Sequence, residues 1–149
     1  MADDSRSIAN EPGPEYDAAA HAVIGAAIEV HRHLGPGYLE IVYEKALELE
    51  LLARNIRFER RKKIQVFYKG QPVGRGQLDF LVEGILVVEL KAVEMIAPIH
   101  QAQVISYLKT MDCPLGLLIN FRVPLLKDGV KRIVLSGGNR QGVVAGPSD

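Results

Sequence analysis

Between residues 16 and 34, Ala20, Val23, Ala27, Val30 and Leu34 recur at three- and four-residue spacing, which places them on one stripe of an amphipathic helix. Gly35-Pro36-Gly37 ends that helix, because proline cannot extend the hydrogen-bond ladder and pushes its predecessor out of helical geometry. A second helix is predicted from about residue 38 to 54, with Leu39, Val42, Tyr43, Ala46, Leu49 and Ala53 as its buried stripe and Asn55 as a left-handed cap. The period then drops to two. Ile64, Val66 and Tyr68 alternate with Lys63, Gln65 and Phe67 up to a turn at Lys69-Gly70-Gln71-Pro72, and further strands are predicted over 73–82 and 85–92. Their connections are too short for a parallel crossover, so the three form an antiparallel meander. Pro98 opens a third helix that ends at Cys113-Pro114. The fully apolar run 115–119 reads as a central strand, and 130–135 as a last one.

The order is helix, helix, three strands, helix, two strands, which is an α/β class. Residues 1–15 and the Gly-rich tail 136–149 are expected to be flexible, leaving one domain over 16–135 of the 149 residues. Lysine plus arginine equals aspartate plus glutamate at 18 each, so any attraction for a polyanion must be local. The single cysteine, Cys113, excludes a disulfide framework and a cysteine-built metal site within one chain. Together with the absence of any signal-like or bilayer-length apolar run, it leads to the expectation of a cytoplasmic protein with no membrane partner.

Candidate chemistry enters where carboxylates interrupt apolar strands. Asp79 lies inside Leu78-Asp79-Phe80-Leu81-Val82, while Glu89 and Lys91 are two apart and share a face of the next strand. A buried carboxylate needs a cation or donors, and magnesium, which binds oxygen ligands and keeps several waters, suits two such groups. Whether Asp79 and Glu89 can share a metal is a question of parity. A two-residue turn at Glu83-Gly84 would pair Val82 with Ile85 and put the carboxylates on opposite faces. A three-residue loop, Val82-Glu83-Gly84, would pair Leu81 with Ile85 and leave Asp79 diagonal to Glu89. The sequence permits both.

Asp79 followed by Glu89-Leu90-Lys91 in this order of elements resembles the core of the PD-(D/E)XK nuclease superfamily, with Leu78 where the superfamily name has proline. Gly37-Tyr38-Leu39-Glu40-Ile41-Val42-Tyr43 resembles the pattern that names its GxxExxY family. Gly76-Gln77-Leu78-Asp79 and Gln103-Val104-Ile105-Ser106-Tyr107 resemble the GxxD and QxxxY motifs of RecB-like and lambda-exonuclease-like nucleases. The resemblance implies a restriction-endonuclease-like αβββαβ core with an extra N-terminal helix and a C-terminal strand. It also implies a nuclease using Mg2+ or Mn2+ on nucleic acid, with DNA the expected substrate. Glu40 would complete the metal site through water, Asp79, Glu89 and the Leu90 carbonyl would be ligands, and Lys91 would orient the attacking water. Gln103 and Tyr107, one helical turn apart, would hold substrate or Lys91.

Plainer readings compete. Glu40 shares its helix with Glu44 and Glu48, where a solvated acidic face would be ordinary, and Gln103 with Tyr107 could be an interface pair. His21, His31, His33 and His100 are assigned to surface or helix-end packing. Arg54, Arg57, Arg60, Arg61, Lys62 and Lys63 form the densest basic run and could grip phosphates, or face Glu48, Glu50 and Glu59 in solvent. No aromatic platform for stacking bases accompanies that run. The alternatives to a nuclease are a non-catalytic nucleic-acid-binding or regulatory module on the same fold, and a defence or toxin component activated by a partner. A homo-oligomer is compatible with all three.

Overall fold

The computed structural model describes residues 12–135 and, for the backbone, 142–147. Three helices and six strands follow in the order α1 (Pro14–Leu34), α2 (Glu40–Ala53), β1 (Phe58–Tyr68), β2 (Gln71–Val82), β3 (Leu86–Lys91), α3 (Pro98–Met111), β4 (Leu115–Asn120), β5 (Val130–Leu135) and β6 (Gly142–Pro147). The strands form one sheet in chain order, β1-β2-β3-β4-β5-β6. Only β3 and β4 run parallel, joined through α3, and the other neighbours are antiparallel. This is the restriction-endonuclease-like arrangement expected, with its extra N-terminal helix and C-terminal strand.

Two apolar layers cover the sheet. Ala20, Val23, Ala27 and Val30 of α1, with Tyr43, Leu47 and Leu51 of α2, pack on Phe80, Val88, Leu90, Leu117 and Ile119. On the opposite face Val104 and Leu108 of α3 meet Leu81, Val87, Leu118 and Ile133. All six residues of β4 are buried, which is why its sequence shows no alternation.

The stripe predicted for α1 is the buried one, and the helix begins earlier, at Pro14, inside the stretch expected to be flexible. Residues 1–11 lie outside the described region. For α2 the stripe is corrected: Tyr43, Glu44, Leu47 and Leu51 face inward, whereas Leu39, Val42 and Leu49 are exposed. This helix is apolar on every side, so periodicity could not choose the face. The choice follows Glu44, whose buried carboxylate meets two arginines of β1. Within the stretch expected to be a tail, β6 pairs with β5, while residues 136–141 and 148–149 lie outside the described region. Among the described residues, no helix is long and apolar enough to cross a membrane.

Candidate functional site

The β2–β3 hairpin decides which carboxylates meet. Its ladder pairs Val82 with Leu86, Leu81 with Val87 and Phe80 with Val88. Glu83 and Gly84 both have positive φ (54° and 71°), and the Ile85 N–H donates to the Val82 carbonyl at 3.0 Å. The turn is therefore the tight Glu83-Gly84 one, with Ile85 as a surplus residue before pairing resumes at Leu86. Parity is restored by that residue, one position later than in the expected three-residue loop, and Asp79 stands across from Glu89 rather than diagonal to it. Glu83 tolerates its left-handed backbone with its N–H bound to the Arg57 carbonyl (2.8 Å) and its carboxylate to the Arg57 guanidinium (3.0 Å).

At Asp79 and Glu89 the ladder stops and side chains replace it. The Asp79 N–H donates to Glu89 Oε2 at 2.7 Å, and the Leu90 N–H donates to Asp79 Oδ2 at 2.8 Å. Each carboxylate has a second oxygen not engaged in these two bonds. Side-chain alternation also breaks here. Leu78 and Leu81 both pack in the α3 layer, although an unbroken strand would put Leu78 with Phe80 in the other. On β1 the facing position, Arg61, has φ 58° and falls out of the pairing between Arg60–Phe80 and Lys62–Leu78. Both strands bend where the carboxylates gather.

Electrostatics mark the pair as strained without a cation. Burial pushes the Glu89 carboxyl up to about 8, aided by the charge of Asp79 and opposed by the Asp79 N–H and by Lys91. Burial pushes Asp79 up to about 6, with Glu40 and Glu44 adding to the rise and the Leu90 N–H and Lys91 opposing it. Glu40, the first residue of α2, is raised by burial, lowered by Lys91 and raised by Glu44. These three acids and Lys91 thus share one field.

The loop before α2 holds Glu40 in place. The Tyr43 hydroxyl donates to the Gly35 carbonyl and accepts from the Tyr38 N–H (3.1 Å), while its ring stacks on Phe121 at 4.5 Å. Such stacking contributes about 0.5–1.5 kcal/mol beyond the area buried. The far end of β3 is pinned by Asn120, whose amide donates to the Val93 carbonyl (2.8 Å) and accepts from the Val93 N–H (3.0 Å). Lys91 pairs with Asn120 in the parallel ladder.

Tyr107 arrives from α3. A Cβ at Gly76 would lie 2.9 Å from the Tyr107 ring, so the missing side chain on β2 lets the ring lie across the strand. Burial raises the Tyr107 hydroxyl pKa, the charge of Glu89 adds to it, and hydrogen bonds with the Gln77 backbone and the Gln103 side chain lower it. The GxxD and QxxxY segments therefore touch.

Of the sequence candidates, Glu40, Asp79, Glu89 and Lys91 interact, and Gln103 reaches the group through Tyr107. Glu40 does not close the set into three adjacent ligands: among the described residues no group of three His, Cys, Asp or Glu side chains is placed to hold a metal ion. Two carboxylates of raised pKa beside a backbone carbonyl nonetheless fit a hard, water-rich cation, which needs few protein ligands. Sequence reasoning missed Glu44, whose only signal was its place among Glu40 and Glu48. Its carboxylate binds Arg60 at 2.8 Å and Arg61 at 2.9 Å, and Arg60 also reaches Glu48 at 3.0 Å. Arg54 pairs with Glu50, Arg57 with Glu83 and Lys62 with Glu59. Most of the basic run is thus spent on internal carboxylates.

The histidines pack as expected: the buried His31 Nε2 bonds to the Val123 carbonyl, His33 pairs with Glu29, and His100 Nδ1 accepts the Ala97 N–H at the start of α3. A cavity of about 570 Å³ lined by Ile28, His31, Pro36, Leu125 and Leu126 contains no carboxylate and lies apart from this cluster.

No curated protein and no solved structure matches the chain. A protein-family model does, over residues 17–133, which span α1 to β5 and include every acid of the cluster. The family it describes consists of nucleases, which generally use divalent metals, and by that match the chain belongs to the PD-(D/E)XK nuclease superfamily.

Proposed function

We propose that this chain is a magnesium- or manganese-dependent nuclease that hydrolyses phosphodiester bonds in DNA, of the GxxExxY type within its superfamily. The observation that carries the reading is the reciprocal bonding of Asp79 and Glu89, which sets two buried carboxylates together at the point where the sheet opens. Asp79, Glu89 and the Leu90 carbonyl would hold the cation, with Glu40 reaching it through water. A divalent cation there supplies Lewis acidity, lowering the pKa of water and offsetting charge that develops on a phosphate. Lys91 orients the attacking water and neutralises the phosphate, and its charge already acts on all three acids. Tyr107, held by Gln103 and the Gln77 backbone, lines the same place and positions the substrate.

The deciding experiment incubates linear duplex, circular duplex and single-stranded DNA, and RNA, with each divalent metal. Wild type should cleave DNA with magnesium or manganese and not with calcium, and Lys91→Ala should lose at least a hundredfold in rate. Cleavage that survives EDTA, or that Lys91→Ala leaves intact, overturns the assignment. An inert wild type that nevertheless binds magnesium would point instead to activation by a partner.

A further inference from the structure

The β1–β2 ladder runs from Phe58–Val82 to Tyr68–Gln71, but β3 pairs with β2 only from Phe80 to Val82. Beyond Leu78 the two strands continue as a ribbon that ends in a Lys69-Gly70 turn. One side of this ribbon is committed: Ile64 and Leu78 are buried in the α3 layer, and Gly76 lies beneath Tyr107. The other side carries the cross-strand pairs Lys63–Gln77 and Gln65–Arg75, all donors and no carboxylate. From residue 60 to 78 the sequence contains no aspartate or glutamate at all. Arg60, Arg61 and Lys62 find acids elsewhere, whereas Lys63, Lys69 and Arg75 make no ion pair among the described residues and are exposed. Near the tip Phe67, Tyr68 and Val73 are each at least 60% exposed.

We infer that this ribbon is an arm that lies along duplex DNA, with Lys63, Lys69 and Arg75 on phosphates and Phe67 and Tyr68 against the sugars or bases. The inference rests on the nuclease reading and says where its polymeric substrate is held. Three lines of observation support it. An uncompensated cationic strip without a carboxylate complements a polyanion and repels little else on one. A two-stranded ribbon has the width of the major groove of B-DNA. Position agrees as well: Arg75 is four residues from Asp79, about 13 Å along an extended strand, or roughly four base pairs of rise. The basic run 54–63 is a weaker candidate, because five of its six cations already serve carboxylates.

The test is fluorescence anisotropy of a labelled 20-base-pair duplex, in calcium so that binding is read without cleavage, over a series of salt concentrations. The full chain is compared with Lys63→Ala/Lys69→Ala/Arg75→Ala and with the charge-conserving Lys63→Arg/Lys69→Arg/Arg75→Lys. Three lost phosphate contacts should lower the slope of log affinity against log salt by about 2.7 and weaken binding at least tenfold, while the charge-conserving variant keeps the wild-type slope. An alanine variant with unchanged affinity and slope overturns the arm. So does a wild type that ignores the duplex or instead sediments with phosphatidylserine vesicles. Wild type that binds with this slope and yet neither binds magnesium or manganese nor cleaves in either would overturn the nuclease reading and leave the arm standing.

Discussion

The Tyr107 ring occupies the space that a side chain at position 76 would require, 2.9 Å from where its Cβ would sit. Gly76→Ala must therefore move the ring, because Ile64 closes the other side at 3.3 Å. Overpacking of this kind costs about 1–3 kcal/mol. Urea unfolding should show that loss in Gly76→Ala, and much less of it when Tyr107→Ala is also present. Additive losses in the double variant would show that the contact is not what fixes position 76.

The buried acid pair makes stability depend on pH in a definite direction. Both carboxyls are raised in the fold, Asp79 from 3.8 to about 6 and Glu89 from 4.5 to about 8. Their contribution is complete below the unfolded values and is lost as pH rises through the folded ones. In EDTA the melting temperature should therefore fall between about pH 4 and pH 8, and Glu89→Gln should flatten the upper part of that fall. If the pair holds a cation as proposed, magnesium at pH 8 should reverse the fall, since it would bind only the folded, ionised pair. A metal-free protein that gains stability across this range would contradict the shifts.

Glu44 should matter more to folding than any other acid on α2. Removing one partner of a buried ion pair costs about 3–5 kcal/mol, whereas an exposed pair such as Lys62–Glu59 is worth about 0–1 kcal/mol. Denaturant titration of Glu44→Ala and Lys62→Ala should separate them by several kcal/mol. Equal midpoints would show that Glu48 alone suffices for Arg60.

Tyr43→Phe keeps the stack on Phe121 but releases the Gly35 carbonyl and the Tyr38 N–H. A net hydrogen bond is worth about 0.5–1.5 kcal/mol, so the variant should fold. Its loop no longer fixes the start of α2, and calorimetry should find magnesium binding weakened severalfold as Glu40 drifts. Unchanged binding would show that Glu40 takes no part in the metal site.

Much of this architecture is legible because period and punctuation agree. Gly35-Pro36-Gly37 ends α1, the Lys69-Gly70 turn closes the β1–β2 ribbon, and the unbroken apolar run of β4 announces a strand covered on both faces. Asp79 and Glu89 stood out as carboxylates inside apolar strands, whereas Glu40 was singled out among its neighbours on α2 only by resemblance, and the pattern had left the register of the pair open. What escaped was long-range. The buried face of α2 depends on Arg60 and Arg61 of the next element, β1, and no window along residues 40–53 contains them. The bend at Asp79 likewise arises from two strands distorting together, where Arg61 takes a left-handed backbone that its own sequence would not suggest. β6 was hidden because Gly142 to Pro147 is short and Gly- and Pro-flanked, and it becomes a strand by pairing with β5.

Ile85, the surplus residue of the β2–β3 hairpin, also shows where this chain can vary in length. Removing it would leave a two-residue Glu83-Gly84 turn that pairs Val82 with Leu86 directly, so every side chain of β3 would keep its side of the sheet. An extra residue between Leu86 and Glu89 would instead turn Glu89 to the face opposite Asp79. Changes in length are thereby accommodated in the turn and in the six-residue connection from Ala92 to Ala97, which leads into a helix, and not within the paired stretch between them.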